Sequence, residues 1–199
     1  VTRCEKDVLA HQPDIVFVEF AVNDSTDLNS RMVYESLVCK LLESETAPAV
    51  VLIFTLLNSG YSCQPHMSKI GSYYDLGMIS VKDALQPEFT AGRMSFSDYS
   101  KDYAHPTTEG HDFIARMIGH YFDQAAKTEA VPYTMPETPV IGNFCENLKN
   151  IRPGDPIIKT EGSFPQAVVA CYSYLKGWKH VSSIKTDPMV LEITGGPLF

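Results

Sequence analysis

The chain has 199 residues, 44% of them hydrophobic and 20% charged, with a formal net charge of -8 and a pI near 5.2. That length buries a sizeable core, enough for one ordinary domain and a smaller second one. The composition excludes extended disorder, no apolar run reaches membrane-spanning length, and an acidic balance without clustered Lys and Arg argues against nucleic acid as a partner.

The chain opens on Val1, and its first strand signal is the apolar run from Asp14 to Phe20 behind Pro13. Such a run suits a strand buried on both faces of a parallel sheet. It ends in the polar stretch Asn23-Asp24-Ser25-Thr26-Asp27. From Arg31 to Glu43, the residues Val33, Tyr34, Leu37, Val38, Leu41 and Leu42 fall on one side of a 3.6-residue period, predicting an amphipathic helix. Val50 to Leu56, after Pro48, predicts a second buried strand. Strand, helix, strand at this spacing is the crossover unit of an α/β fold, in which ligands bind at the carboxyl ends of the strands.

Met67 to Asp75 reads as helical, Leu76 to Val81 as a short strand, and Lys82 to Leu85 as a helical turn. The clearest helix is Thr107 to Lys127, where Phe113, Ile114, Met117, Ile118, Tyr121 and Phe122 recur on one face and Thr107 is placed to cap the start. Composition changes after Lys127, with Pro132, Pro136 and Pro139 close together, so a boundary is expected there: an α/β domain over 1–127, then a Pro-rich linker and small β-rich module over 128–199. Pro156 to Thr160, Ala167 to Tyr172 and Met189 to Ile193 are its candidate strands. The closing run to Phe199 reads as a strand and turn with another strand begun, and together with the abrupt start this suggests a fragment of a longer protein.

Cys4, Cys39, Cys63, Cys145 and Cys171 are odd in number, widely spaced and without a Cys-x-x-Cys pair. Free buried thiols, and with them a reducing compartment such as the cytoplasm, are the expectation.

One segment concentrates chemistry. In Asp102-Tyr103-Ala104-His105 a carboxylate lies three residues before a histidine, immediately ahead of a helix start. A carboxylate there accepts a hydrogen bond from one ring nitrogen, fixes the tautomer and leaves the other nitrogen as a general base. Asn23 supplies a side-chain amide at the mouth of the first strand.

Together these residues resemble the SGNH (GDSL-type) hydrolase superfamily of esterases and lipases. The likeness covers roughly residues 1 to 125 and rests on two of four family blocks. Gly-x-Asn-Asp stands here as Ala21-Val22-Asn23-Asp24, and Asp-x-x-His as Asp102-Tyr103-Ala104-His105, continuing through Pro106 and Gly110 to His111 in the His-Pro-x-x-x-Gly-His pattern. The resemblance implies a three-layer α/β sandwich around a parallel sheet, here incomplete, and a serine esterase acting through an acyl-enzyme. It gives His105 the role of base, Asp102 that of orienting carboxylate and Asn23 that of oxyanion donor. It implies no cofactor and no metal, and a small-molecule or glycan ester as substrate.

The chain also departs from that pattern. No serine precedes Asn23, so neither the family's Gly-Asp-Ser nucleophile block nor the block with the second oxyanion donor is present. Ser25, Ser59, Ser62 and Cys63 follow strands but none sits in a nucleophile elbow. A metal reading through Asp102, His105 and His111 is disfavoured, because the histidines are six apart and not at the i, i+4 spacing of paired ligands. His11, His66, His120 and His180 show no ligand spacing. The competing class is a non-catalytic, hydrolase-like protein that binds carbohydrate, for which Tyr172, Tyr174 and Trp178 would offer stacking rings.

Overall fold

The computed structural model describes residues 1–146, 148, 151–169, 175–179 and 187–192. Three parallel strands, β1 (Ile15–Glu19), β2 (Ala49–Phe54) and β3 (Gly77–Ser80), lie side by side in chain order, with Val16 opposite Val50 and Leu52 opposite Met78. Among the described residues six α-helices accompany them: α1 (Cys4–Asp7), α2 (Leu28–Leu42), α3 (Gln64–Tyr73), α4 (Val81–Thr90), α5 (Phe96–Tyr99) and α6 (Thr108–Ala125). β2 is the central strand, and after Ala49 every one of its side chains is buried.

Alternation along the strands divides the core in two. Val18, Val50, Leu52 and Phe54 pack with Tyr34, Val38 and Leu41 of α2 and Met67 and Ile70 of α3. Val51, Ile53 and Ile79 face the other way, against Val81 and Leu85 of α4, Tyr99 of α5, and Ile114, Met117, Ile118 and Tyr121 of α6. This is the three-layer α/β arrangement expected. β1 departs from expectation: it is the edge of the described sheet, and Ile15 and Phe17 remain 39% and 40% exposed. Cover on that face is thin there, Phe17 meeting Phe122 of α6 edge-on at 6.2 Å between ring centres.

α2 begins earlier than its apolar period, because the Asp27 side chain caps it by accepting from Ser30 N at 3.0 Å. Its inner face is also less apolar than predicted. Val33 is exposed, whereas Glu35 and Ser36 are fully buried. Glu35 accepts from Tyr74 Oη at 2.8 Å and from the backbone N–H groups of Val140, Ile141 and Gly142 at 2.6, 2.7 and 2.8 Å. Ser36 Oγ accepts from Cys145 N at 3.2 Å, and Lys40 Nζ donates to Glu146 O at 3.1 Å. A carboxylate buried this deeply is tolerable only with its oxygens satisfied, and here the chain beyond α6 supplies the donors.

The chain accordingly divides into compact units at Val1–Leu148 and Lys149–Phe199. The composition change after Lys127 marks the end of α6, while the segment that follows folds back onto α2. In the second unit β4 (Ile158–Thr160) pairs antiparallel with β7 (Val190–Leu191), and β5 (Gln166–Val169) with β6 (Leu175–Trp178). This unit is β-rich, as predicted. Trp178 is half-buried and its indole N–H donates to Glu161 at 3.0 Å. Cys171, Tyr172, Tyr174, His180 and Ile193 lie outside the described residues.

Cys4, Cys39, Cys63 and Cys145 are free and buried. Burial pushes the Cys39 thiol up to about 11. Among the described residues no helix is long and apolar enough to cross a membrane.

Replacing Glu35 by Ala strands four donors, three of them backbone N–H groups. Urea unfolding of Glu35→Ala is expected to show a loss of about 3 kcal/mol or more. A loss below about 1 kcal/mol would show that the carboxylate does not hold the segment in place.

Candidate active site

The residues around His105 form a closed loop whose base is set by α5. Ser95 caps that short helix in a reciprocal box with Asp98, and the buried ring of Tyr99 anchors it in the second core. The chain then turns extended at Ser100 and returns at Pro106, the two residues forming an isolated antiparallel bridge. Thr107 N donates to Tyr99 O at 2.9 Å, which closes the loop. The Thr107 side chain accepts from Gly110 N at 3.0 Å and starts α6. Gly110 is required for its size: a Cβ at that position would lie 2.1 Å from Tyr99 O.

Inside the loop the Asp102 carboxylate is shared. Oδ1 accepts from Ala104 N at 2.8 Å and His105 N at 2.7 Å, and Oδ2 lies 2.8 Å from His105 Nδ1. The three-residue spacing is thus an Asx-type turn, in which one oxygen shapes the backbone and the other is left for the imidazole. Buried Ser100 adds a brace, its Oγ donating to His105 O at 2.6 Å. The two backbone donors, followed by the His105 ring, hold the Asp102 carboxyl well below the usual carboxylate range. An ionised Asp102 fixes the proton on Nδ1 and leaves a lone pair on Nε2. The His105 side chain is 88% exposed, and no described residue hydrogen-bonds to Nε2. A carboxylate-oriented imidazole with its second nitrogen open can take and return a proton.

Asn23 sits in the loop after β1. Phe20 O accepts from Asn23 N at 3.2 Å and Asp24 N at 3.1 Å, forming a turn. The Glu19 carboxylate supports the entry, accepting from Ala21 N at 3.1 Å and Thr55 Oγ1 at 2.7 Å. Ala21, where the family pattern has Gly, is fully buried and is not among the positive-φ residues; a methyl group is accommodated without strain. The Asn23 side chain is exposed and makes no hydrogen bond to any described residue. Beside it, burial raises the Asp24 carboxyl, with Glu19 and Asp27 adding to the effect.

Asn23 and the Asp102–His105 loop are 79 positions or more apart in the chain, and the loop after β2 brings them to one edge of the first unit. Cys63 N donates to Ala21 O at 2.7 Å on one side, and Asn58 N donates to Tyr103 O at 3.1 Å on the other. Sequence reading singled out neither Asn58 nor Ser100 nor Glu19. Asn58 acts through its own backbone N–H, Ser100 on a backbone carbonyl, and Glu19 on a backbone N–H and the Thr55 hydroxyl; none of these pairings leaves a residue-type signature.

The four hydroxyl and thiol candidates serve their own loops. Ser25 Oγ accepts from Asp27 N, Ser59 Oγ from Tyr61 N and Ser62 Oγ from Gln64 N, at 3.2, 3.3 and 3.2 Å. The Cys63 thiol is buried against Asp24 O and pushed up by that burial. None of them hydrogen-bonds to His105. His111 lies in the first turn of α6, its backbone N donating to Thr107 O at 2.8 Å. Among the described residues no group of three or more His, Cys, Asp or Glu is arranged to hold a metal ion.

No protein-family model matches the chain, and neither does any curated protein. Solved structures do. The fold is similar to that of a two-domain esterase active on acetylated mannans, with a TM-score of 0.79 and 28% identity over 90% of this chain. It is equally similar to that esterase co-crystallised with mannopentaose, with a TM-score of 0.78 and the same identity and coverage. The chain spans about half the length of these structures, covering 50% and 49% of them.

Because the Asp102 carboxyl is depressed in the folded state, its contribution to stability is complete above the ordinary aspartate pKa and is lost as pH falls through the lower folded value. A carboxyl-carbon NMR titration is expected to find Asp102 still ionised at pH about 4, where an ordinary aspartate is half protonated. A midpoint at the ordinary value would contradict the hydrogen-bonded geometry.

Proposed function

We propose that this chain carries the acid–base half of an SGNH-type serine ester hydrolase acting on an acylated carbohydrate. The observation that carries the reading is the hydrogen-bonded pair of Asp102 and His105, 2.8 Å apart with the ring open to solvent, on the edge that also presents Asn23. Similarity to an esterase active on acetylated mannans supports both the reaction class and the glycan ester. In this reading the nucleophilic serine belongs to a segment outside these 199 residues, in keeping with the share of the related structures that the chain spans.

The chemistry follows from the groups. His105 Nε2 removes the serine hydroxyl proton as the oxygen attacks the ester carbonyl carbon. The carbonyl π bond breaks, and its electron pair becomes an oxyanion to which the Asn23 amide donates. His105, now charged and paired with Asp102, protonates the departing sugar oxygen as the tetrahedral species collapses to the acyl-enzyme. Water repeats the sequence with the same base, releasing the acid and restoring the serine. An amide already fixed at the site of developing charge lowers the barrier by about 2.7 to 4 kcal/mol.

The second reading, a non-catalytic hydrolase-like protein that binds glycans, is favoured by the engagement of all four candidate nucleophiles elsewhere. It predicts saturable glycan binding without ester hydrolysis.

The full-length encoded protein is expected to hydrolyse a short-chain aryl ester and to release acetate from acetylated mannan. His105→Ala should lose nearly all of that activity, and Asn23→Ala about a hundredfold or more in kcat. Full activity in His105→Ala would sink the assignment. The 199-residue chain alone should turn over little or nothing; robust His105-dependent hydrolysis by it would place the nucleophile among these residues.

A further inference from the structure

Tyr61 has no part in the chemistry described above, yet it touches the one segment whose position decides where the Asn23 amide sits. Its hydroxyl donates to Asp24 O at 2.9 Å. The Cys63 thiol donates to the same oxygen at 3.2 Å and lies 3.2 Å from the Tyr61 hydroxyl. Ala21 O is held in turn by Cys63 N at 2.7 Å. The backbone is therefore fixed two residues before Asn23 and one residue after it, both times by the 61–63 stretch. Tyr61 is itself set by a tight turn in which Leu57 N donates to Tyr61 O at 3.0 Å and Gly60 N to Leu57 O at 2.8 Å. Gly60 adopts a φ of 78° there, a left-handed conformation that favours glycine.

We propose that Tyr61 is a positioning residue for the Asn23 amide, its hydroxyl clamping the Asp24 carbonyl so that the donor is held ready for the oxyanion; this rests on the esterase reading above. The alternative role, fold stability alone, fits poorly with its surroundings. The tyrosine is 38% exposed, belongs to neither core cluster, and its hydroxyl meets Asp24 O on the loop that carries Asn23 and the Cys63 thiol that bonds to the same oxygen. The hydrogen bond to Cys63, and then burial, push the phenol up to about 12, so it remains a donor through the neutral range. Without it, Asp24 O would keep only the thiol, a weak donor. Asn58 of the same turn bonds to Tyr103 O, so the turn that seats Tyr61 also meets the His105 loop.

The test is Tyr61→Phe in the full-length encoded protein, alone and combined with Asn23→Ala. The single variant should keep KM within about twofold while kcat falls about tenfold, as expected for losing a contact that matters in the transition state. In the Asn23→Ala background the tyrosine change should cost nothing further, because the group it positions is gone. Hydrogen exchange of the backbone amides of Asn23 and Asp24 should speed up in Tyr61→Phe, while those of β2 stay unchanged. An active wild type with an unchanged kcat in Tyr61→Phe, a loss that adds fully to that of Asn23→Ala, or unaltered exchange at Asn23 and Asp24 would overturn the proposal. An inactive wild type would instead overturn the esterase reading, and the proposal with it.

Discussion

A central parallel strand buried on both faces constrains everything else in the first unit. Because β2 is apolar from Val50 to Phe54, helices must cover it on each side, and each crossover must return the chain to the same end of the sheet before the next strand. α2 and α3 take one face, and α4 to α6 the other. The loops that leave the carboxyl ends of β1 and β2 consequently emerge at one edge. Asn23 and the 57–63 stretch are neighbours for that reason, and the loop between α5 and α6 joins them because Tyr99 is packed beneath it in the second core.

The His105 loop is made by short-range bonds that leave little freedom. Asp102 organises the backbone with one oxygen and the imidazole with the other, so turn and ring orientation share a single side chain. The same economy appears at Gly110, where the first turn of α6 passes too close to Tyr99 O to admit a side chain. A histidine on a free loop would sample many orientations. Here the Ser100–Pro106 bridge and the bond from Ser100 Oγ to His105 O confine its backbone.

Much of this was legible from residue pattern. The runs at 14–20 and 50–56 marked β1 and β2, and the period from Phe113 to Phe122 marked α6; the Asp102–His105 contact was also anticipated by its three-residue spacing. What pattern missed has a common physical origin. Glu35 and Ser36 point inward because donors from residues 140–145, over a hundred positions away, satisfy them; periodicity assigns such residues to solvent because it cannot see distant partners. The exposure of β1 was missed for the converse reason. Apolar content announces a buried strand, but whether a neighbour lies alongside is a property of the sheet and not of the strand.

Separate motifs are brought near one another by contacts that neither motif contains. Asp-x-x-His is a local statement, complete within four residues, and Asn23 is another. Their relation passes through backbone bonds from Cys63 to Ala21 and from Asn58 to Tyr103, which any residue except proline can donate. Such a bridge depends on loop length and turn geometry more than on side-chain identity, with Gly60 the exception because its φ is positive. Two candidate site residues can therefore be read from a sequence while the segment that links them goes unnoticed. Side chains that reinforce the bridge, as the Tyr61 hydroxyl does at Asp24 O, become visible only once the turn beneath them is known.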